Sequence, residues 1–360
     1  MVTMRRRAIA LGRRGMVSPY GAPVRWGFRA VTAAQVWAVT ALDRAREQGP
    51  SPEQRRATAE RVTMLAKTFE RPDTARRLVR STRRVFDGRI VIADDSRTPM
   101  APPGPGVHVI GLPFNVGVAV GRNAALDTVD TEFVLVTDDD IVFTAAAGIN
   151  RAMDYLDETP EVDMVGFLRV ELPLWFAYDH GADALFAGHA PPLRRHDEVI
   201  NGLPVRYKLA QIYLARTEAV RRVRWDEHIR MVDHRDFFSR AAGQIVAVLD
   251  PESRVYHVRT PFKAVYTAYR EDVGPDLAYL QRRWQGPNRP SGPAEGAHER
   301  GDDGRARDDD EEVGAQEQED DSGAERHDAG VENQPPALAD HGLHRHQGGE
   351  ERDGQQRRHP

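Results

Sequence analysis

Between residues 61 and 285 the chain alternates short apolar runs with segments that are apolar on one side only. Val62-Thr63-Met64-Leu65-Ala66 is short and apolar enough for a strand covered on both faces. Lys67 to Pro72 reads as a loop. Asp73 then caps a helix whose apolar positions Ala75, Leu78, Val79, Thr82 and Phe86 keep helical spacing, and Asp87-Gly88 stops it. Arg89-Ile90-Val91-Ile92-Ala93 is the next strand. Strand, helix and strand at this spacing make a βαβ unit, so the two strands are predicted parallel. The pattern continues with a strand at 107–110, a helix at 117–126, a strand at 133–136, a helix at 145–158 and a strand at 162–167. Gly117 and Gly121 cost that helix about 1 kcal/mol each relative to Ala, which points to close approach of a backbone or a ligand. From Arg169 to Val205, Pro173, Pro191, Pro192 and Gly202 break the pattern into long loops. A strand at 205–214, helices at 216–222 and 233–242, and strands at 245–249 and 254–258 complete it.

Residues 1–60 form a basic helical arm. Val31 to Gln48 reads as one helix closed by Gly49-Pro50, and Ser51-Pro52-Glu53 starts another. Arg5-Arg6-Arg7 and Arg13-Arg14 suit a membrane surface or nucleic acid, but also a solvated end. The reading adopted is a solvated end with no nucleic-acid partner, leaving peripheral membrane contact open. Residues 286–360 are dominated by Gly, Asp, Glu, Arg, His, Gln and Pro and lack the apolar surface to offset their ordering entropy, so a disordered tail is expected. The net charge of −5 owes much to that acidic tail. Cysteine is absent, which excludes disulfides and thiolate metal sites. No apolar run reaches the ~20 residues of a membrane span, and no apolar leader segment is evident. A cytoplasmic protein is expected. The fold class is α/β, with a mostly parallel central sheet in the first half and late strands that add antiparallel.

Two acidic clusters end predicted strands: Asp94-Asp95 and Asp138-Asp139-Asp140. Ligands of open parallel sheets bind at the carboxyl ends of strands, so both clusters face one crevice. Adjacent carboxylates resist burial unless a cation joins them. A nucleotide-sugar has matching needs: a divalent cation for its diphosphate and hydrogen-bonding groups for its base and ribose. Asp94 and Asp95 suit base and ribose; Asp138 and Asp140 suit ribose and metal, with Asp139 bracing the turn. Arg122 suits phosphate or an ion pair with one of the aspartates, and Asn123 a brace for its loop. Asp236 is a candidate general base at the start of a helix, with Asp233 as its cap. His257, as a metal ligand, would give a mixed oxygen and imidazole site suited to Mn2+ (or Mg2+). His341 to His346 are discounted as a metal site in a disordered tail.

The order Val62–Thr68, Ile92-Ala93-Asp94-Asp95-Ser96, Gly121-Arg122-Asn123, Asp138 to Thr144, Tyr213 to Thr217 and His234-Arg235-Asp236-Phe237-Phe238 resembles family 2-like glycosyltransferases of the GT-A fold. Within them it is most similar to the ganglioside-type β-1,4-N-acetylgalactosaminyltransferases. The resemblance implies a Rossmann-like α/β/α sandwich and a metal-dependent inverting transferase moving a sugar, an N-acetylhexosamine, from a UDP-sugar donor to a glycan or other hydroxyl acceptor. It implies Thr68, Asp94, Asp95, Arg122, Asn123 and Asp138 at the donor, Asp138, Asp140 and His257 at the metal, and Asp236 as base. Asp236 departs from the Glu of the family, and Tyr207-Lys208 from its acidic residue and Gly. The family's membrane anchor and cysteines are not found, which suits a soluble bacterial enzyme better than a ganglioside-building one. The alternatives are a nucleotide-sugar-binding protein without catalysis and a nucleotidyltransferase. The latter is disfavoured because Lys67 to Arg71 contains no Gly.

Overall fold

Two helices lead into the sheet of this computed structural model, which describes residues 21–46, 49–260, 266, 268, 269 and 272–284. The expected disordered tail, the histidines at 341–346 and the arginines at 5–7 and 13–14 lie outside the described residues. Helix α1 (Ala22–Arg46) begins nine residues before the predicted start. Helix α2 (Pro52–Arg61) opens on a capping box: Ser51 Oγ accepts from Gln54 N–H, and Gln54 Oε1 accepts from Ser51 N–H at 2.9 Å.

The chain then enters β1 (Val62–Thr68), crosses through α3 (Pro72–Thr82), and returns as β2 (Ile90–Asp94), parallel to β1 with Leu65 opposite Val91. β3 (Val107–Gly111) adds outside β2, and α4 (Val118–Leu126) carries the chain back to β4 (Phe133–Asp138) on the other side of β1. The direction of winding reverses between β1 and β4, and a crevice opens at such a reversal. The register sets Lys67 opposite Asp138 there. After β5 (Ile141–Val142), a 3-10 turn at Ala145–Ala147 and α5 (Ile149–Glu158), the rest of the sheet is β6 (Met164–Leu172), β7 (Phe176–Tyr178), β10 (Tyr213–Arg216) and β11 (Ala247–Val258). Its order is β3-β2-β1-β4-β10-β6-β11-β5, with β7 on β6. β8 (Val199–Ile200) and β9 (Leu203–Pro204) form a separate hairpin. Helices α6 (Thr217–Val223), α7 (Asp233–Ala241) and α8 (Gly274–Trp284) complete the described chain. β10 runs antiparallel to β4 and β6, as expected of the late strands, whereas β11 is parallel to β6.

Strand alternation divides the core into two layers. Met64, Ala66 and Leu135 pack with Ala75, Leu78 and Val79 of α3 on one face. Leu65, Val91, Val134 and Val136 pack with Ala119, Ala125 and Leu126 of α4 on the other. Each fully buried side chain of this kind contributes roughly 1.5–3 kcal/mol.

Several expectations need correcting. Lys67 and Thr68 belong to β1, not to a loop, because they continue its parallel pairing to Ala93 and Asp94. Asp73 does not cap α3: Arg71 holds the cap position, and Asp73 pairs with Arg76 inside the first turn. Helix 145–158 is split at Gly148, whose φ of 59° no continuing helix allows. The strand expected at 205–214 reduces to β10 and one isolated bridge from Val205 to Val248. The strands at 245–249 and 254–258 are one strand with an irregularity between Asp250 and Arg254. The glycine reading holds only in part: Gly117 precedes α4 as its cap and faces the Arg230 backbone, whereas Gly121 lies in the helix and faces the Lys67 side chain. A Cβ on Gly117 (φ 105°) would lie 2.7 Å from Arg230 Cγ, and one on Gly121 would lie 2.7 Å from Lys67 Cγ.

Candidate active site

The period of two that builds β4 also separates its terminal acids. Asp138 shares a face with Val134 and Val136 and looks toward α4. There its Oδ1 accepts from Arg122 Nη2 at 2.7 Å. Arg122 is buried, and its Nη1 donates to Asp233 Oδ2 at 2.6 Å. Of the two readings of Arg122, the ion pair with an aspartate is the one present. Asp233 follows the cap residue Val232 and does not cap α7 itself. Burial pushes its carboxyl above the ordinary range; Arg122 opposes the shift and Asp138 adds to it.

Asp139 points to the opposite face. It accepts from Thr68 Oγ1 at 2.7 Å and Thr74 Oγ1 at 3.0 Å and pairs with Arg71. Thr68 is thereby occupied in bracing the acidic turn. Arg71 Nη1 also reaches Asp140 Oδ2 at 2.9 Å, and the Tyr266 ring centroid lies 3.8 Å from its guanidinium carbon.

Asp140 faces β11. Its Oδ1 is buried without a hydrogen-bond partner, and His257 Nε2 stands 3.4 Å away. His257 Nδ1 is held by Glu171 Oε2 at 2.8 Å, and Arg259 Nε approaches the same oxygen at 3.1 Å. Burial works against charge on His257, but Asp140 and Glu171 outweigh it and push its pKa up to about 9. Burial likewise opposes ionisation of Asp140, yet His257 and Arg71 hold its carboxyl well below the usual range. A carboxylate oxygen lacking a partner, facing an imidazole nitrogen whose other nitrogen is fixed by a carboxylate, fits two ligands of a divalent cation. Asp138 does not join them, because Arg122 draws it to the other face. Among the described residues no group of three His, Asp or Glu is arranged to hold a metal ion.

The other predicted residues are committed locally. Asp94 accepts from the backbone N–H groups of Ser96 (2.9 Å) and Met100 (2.7 Å). Asp95 accepts from Gly117 N–H at 3.0 Å and pairs with Lys67 Nζ at 2.8 Å. Burial holds the Lys67 ammonium below its ordinary value, with Asp95 opposing. Asn123 braces the chain before α7: Nδ2 donates to Trp225 O and Glu227 Oε1, both at 2.9 Å, and Oδ1 accepts from Trp225 N–H. Asp236, the expected base, lies within the helix packing. It is fully buried, accepting from Arg240 Nε at 2.6 Å and from Trp284 Nε1 at 2.9 Å, and it ties α8 to α7.

The sequence reading missed Arg71, Thr74, Lys67, Glu171 and Gln211. Gln211 immediately precedes Ile212 and β10, is buried, and has no hydrogen-bond partner on either amide atom. Arg71 had a signal: three adjacent acids at a buried strand end require a cation, and it precedes the Pro72 that opens α3. Glu171 had none, because its partner His257 is 86 residues away.

Residues 66–198 match the profile of glycosyl transferase family 2, and with the sheet described above they give a GT-A-type α/β fold. Human β-1,4 N-acetylgalactosaminyltransferase 1 is 37% identical over 196 residues, an alignment spanning 51% of this chain and 36% of that protein. Mouse β-1,4 N-acetylgalactosaminyltransferase 2 is 30% identical over 223 residues, or 59% of this chain and 42% of that protein. The chain therefore resembles family 2 N-acetylgalactosaminyltransferases and spans less than half the length of these relatives. The S. aureus TarS 1-349 structure in complex with UDP-GlcNAc is more distant, at 17% identity and a TM-score of 0.42 over 56% of this chain and 59% of that one.

Proposed function

We propose that the chain is a glycosyltransferase that moves a sugar, an N-acetylhexosamine, from a UDP-sugar to a hydroxyl acceptor on a glycan, with inversion. The observation that carries this reading is the Asp140–His257 pair, whose unpartnered carboxylate oxygen lies beside a fixed imidazole at the end of β4. Asp140 and His257 would hold Mn2+ or Mg2+, leaving its other positions to water and diphosphate oxygens. When bound, such an ion stabilises the departing diphosphate as a Lewis acid. Asp138, about a third exposed (36%), is available to a ribose hydroxyl while Arg122 fixes its rotamer. For the base the reading takes Asp233, joined to Asp138 through Arg122, with Asp236 as the alternative. We further propose a cytoplasmic location.

The test is UDP release from a panel of UDP-sugars, with Mn2+ or with chelator, for wild type, Asp140→Ala, Asp233→Asn and Asp236→Asn. The reading expects Mn2+-dependent release that Asp140→Ala and Asp233→Asn abolish. Absence of both binding and hydrolysis of every UDP-sugar would end it. Release lost in Asp236→Asn but kept in Asp233→Asn would return the base to Asp236.

A further inference from the structure

Helix α1 has two apolar sides, and only one is used inside the protein. On the inner side Thr32 and Val39 are buried, and Val36 packs on the cluster of Val142, Leu172 and Val258. Gln35 Nε2 donates to Pro173 O at 3.2 Å, and Asp43 Oδ1 accepts from Ala145 N–H at 2.7 Å. These contacts fix the rotation of the helix about its axis. The outer side carries Trp26 and Trp37, 75% and 72% exposed. They are eleven residues apart, about three turns, so they stand in one row. Val24, Val31 and Leu42, all exposed, form a second row at roughly 100–160° from the first. The positions between the rows are Ala, Gly and Pro.

Two exposed indoles above a wide apolar strip are not an ordinary solvated surface. We propose that this face of α1 docks the protein on an anionic lipid surface. Charge selects that occupant. Helix α1 itself carries four arginines against one acid, and that acid, Asp43, is turned inward to Ala145. A cationic helix with tryptophans on its apolar side is the composition of helices that lie in the plane of a bilayer interface. Indole rings settle at headgroup depth, and arginines pair with lipid phosphates. The same charge opposes a second copy of this face. Nucleic acid would use the arginines but would leave the valine and leucine row in water.

The full chain is mixed with large unilamellar vesicles of phosphatidylcholine, with or without phosphatidylserine, and sedimented. The expected result is binding to the anionic vesicles only, weakened by salt, with a blue shift of tryptophan emission. Trp26→Ala/Trp37→Ala is expected to lower the partition coefficient at least roughly tenfold while leaving the thermal midpoint unchanged, since both rings are exposed. Binding that ignores lipid charge, or that survives the double substitution, overturns the proposal. So does a double substitution that instead abolishes self-association or RNA binding.

Discussion

Replacing Arg122 by Met keeps most of the side-chain volume and removes the one cation shared by Asp138 and Asp233. Asp138 is partly hydrated and can turn to water, so its loss is small. Asp233 is buried and would be left without its partner. Breaking a buried pair on one side costs about 3–5 kcal/mol. For a folded unit of this size that lowers the thermal midpoint by roughly 6–20 °C. The sign of the pH dependence follows from Asp233, whose folded pKa is already raised by burial and rises further without Arg122. A folded state that holds its proton more tightly than the unfolded chain loses stability as pH rises from the unfolded carboxyl pKa through the folded one. The deficit of Arg122→Met is therefore small near pH 4 and grows as pH rises toward neutral. Adding Asp233→Asn should recover much of the loss, because the stranded charge is gone. Urea unfolding followed by far-UV circular dichroism at several pH values measures all of this. Trp225, 5.7 Å from the guanidinium, adds a local fluorescence signal. A deficit below about 1 kcal/mol at neutral pH, a deficit that does not change with pH, or a double variant no better than the single would refute the reasoning.

His234 is half-buried beside Lys208 and His180, with desolvation as the main cause holding its pKa well below 6.5. The unfolded chain takes up that proton first, so stability falls as pH drops below about 6.5, by at most ~1.4 kcal/mol per pH unit; His234→Gln should flatten that slope in urea titrations. Gly117→Ala sets a Cβ against the Arg230 backbone at a left-handed φ of 105°; a loss of about 2–4 kcal/mol is expected, and a neutral result in thermal unfolding would show that the 115–118 loop relaxes. The unpartnered amide of Gln211 costs stability that an apolar side chain would not. Gln211→Met should gain about 1 kcal/mol, read from the denaturant midpoint, and a loss would reveal a partner formed in solution.

The parallel half of the fold was legible because its strands are covered on both faces. Val62–Ala66, Arg89–Ala93 and Phe133–Val136 are nearly uninterrupted apolar runs, and the helices between them are apolar on one side only. Beyond Arg169 the same method fails for a physical reason. Residues 205–209 alternate apolar Val205, Tyr207 and Leu209 with Arg206 and Lys208, as a half-buried strand would, but Leu209 is turned onto the flat surface left by Gly166, and the backbone leaves the ladder. Only packing against another strand reveals that. The break at Gly148 was legible in principle, since an αL residue between Ala147 and Ile149 ends a helix.

The acidic triplet shows how a site can be found by composition and still be misread in detail. Asp138 and Asp140, two apart, would share a face in a continuing strand, and a single metal between them would be natural. The turn after Asp138 removes that parity. Asp138 goes to Arg122, Asp139 to Thr68, Thr74 and Arg71, and Asp140 to His257. The three acids thus draw on cations from three elements: Arg122 of α4 for Asp138, Arg71 before α3 for Asp139 and Asp140, and His257 of β11 for Asp140 as well. This is how three adjacent carboxylates can end one buried strand without mutual repulsion unfolding it. Of the three, Asp140 is the one with a buried carboxylate oxygen that accepts no hydrogen bond, its nearest partner being His257 Nε2 at 3.4 Å. That leftover oxygen makes it the acid of the triplet to which a cation has something to add.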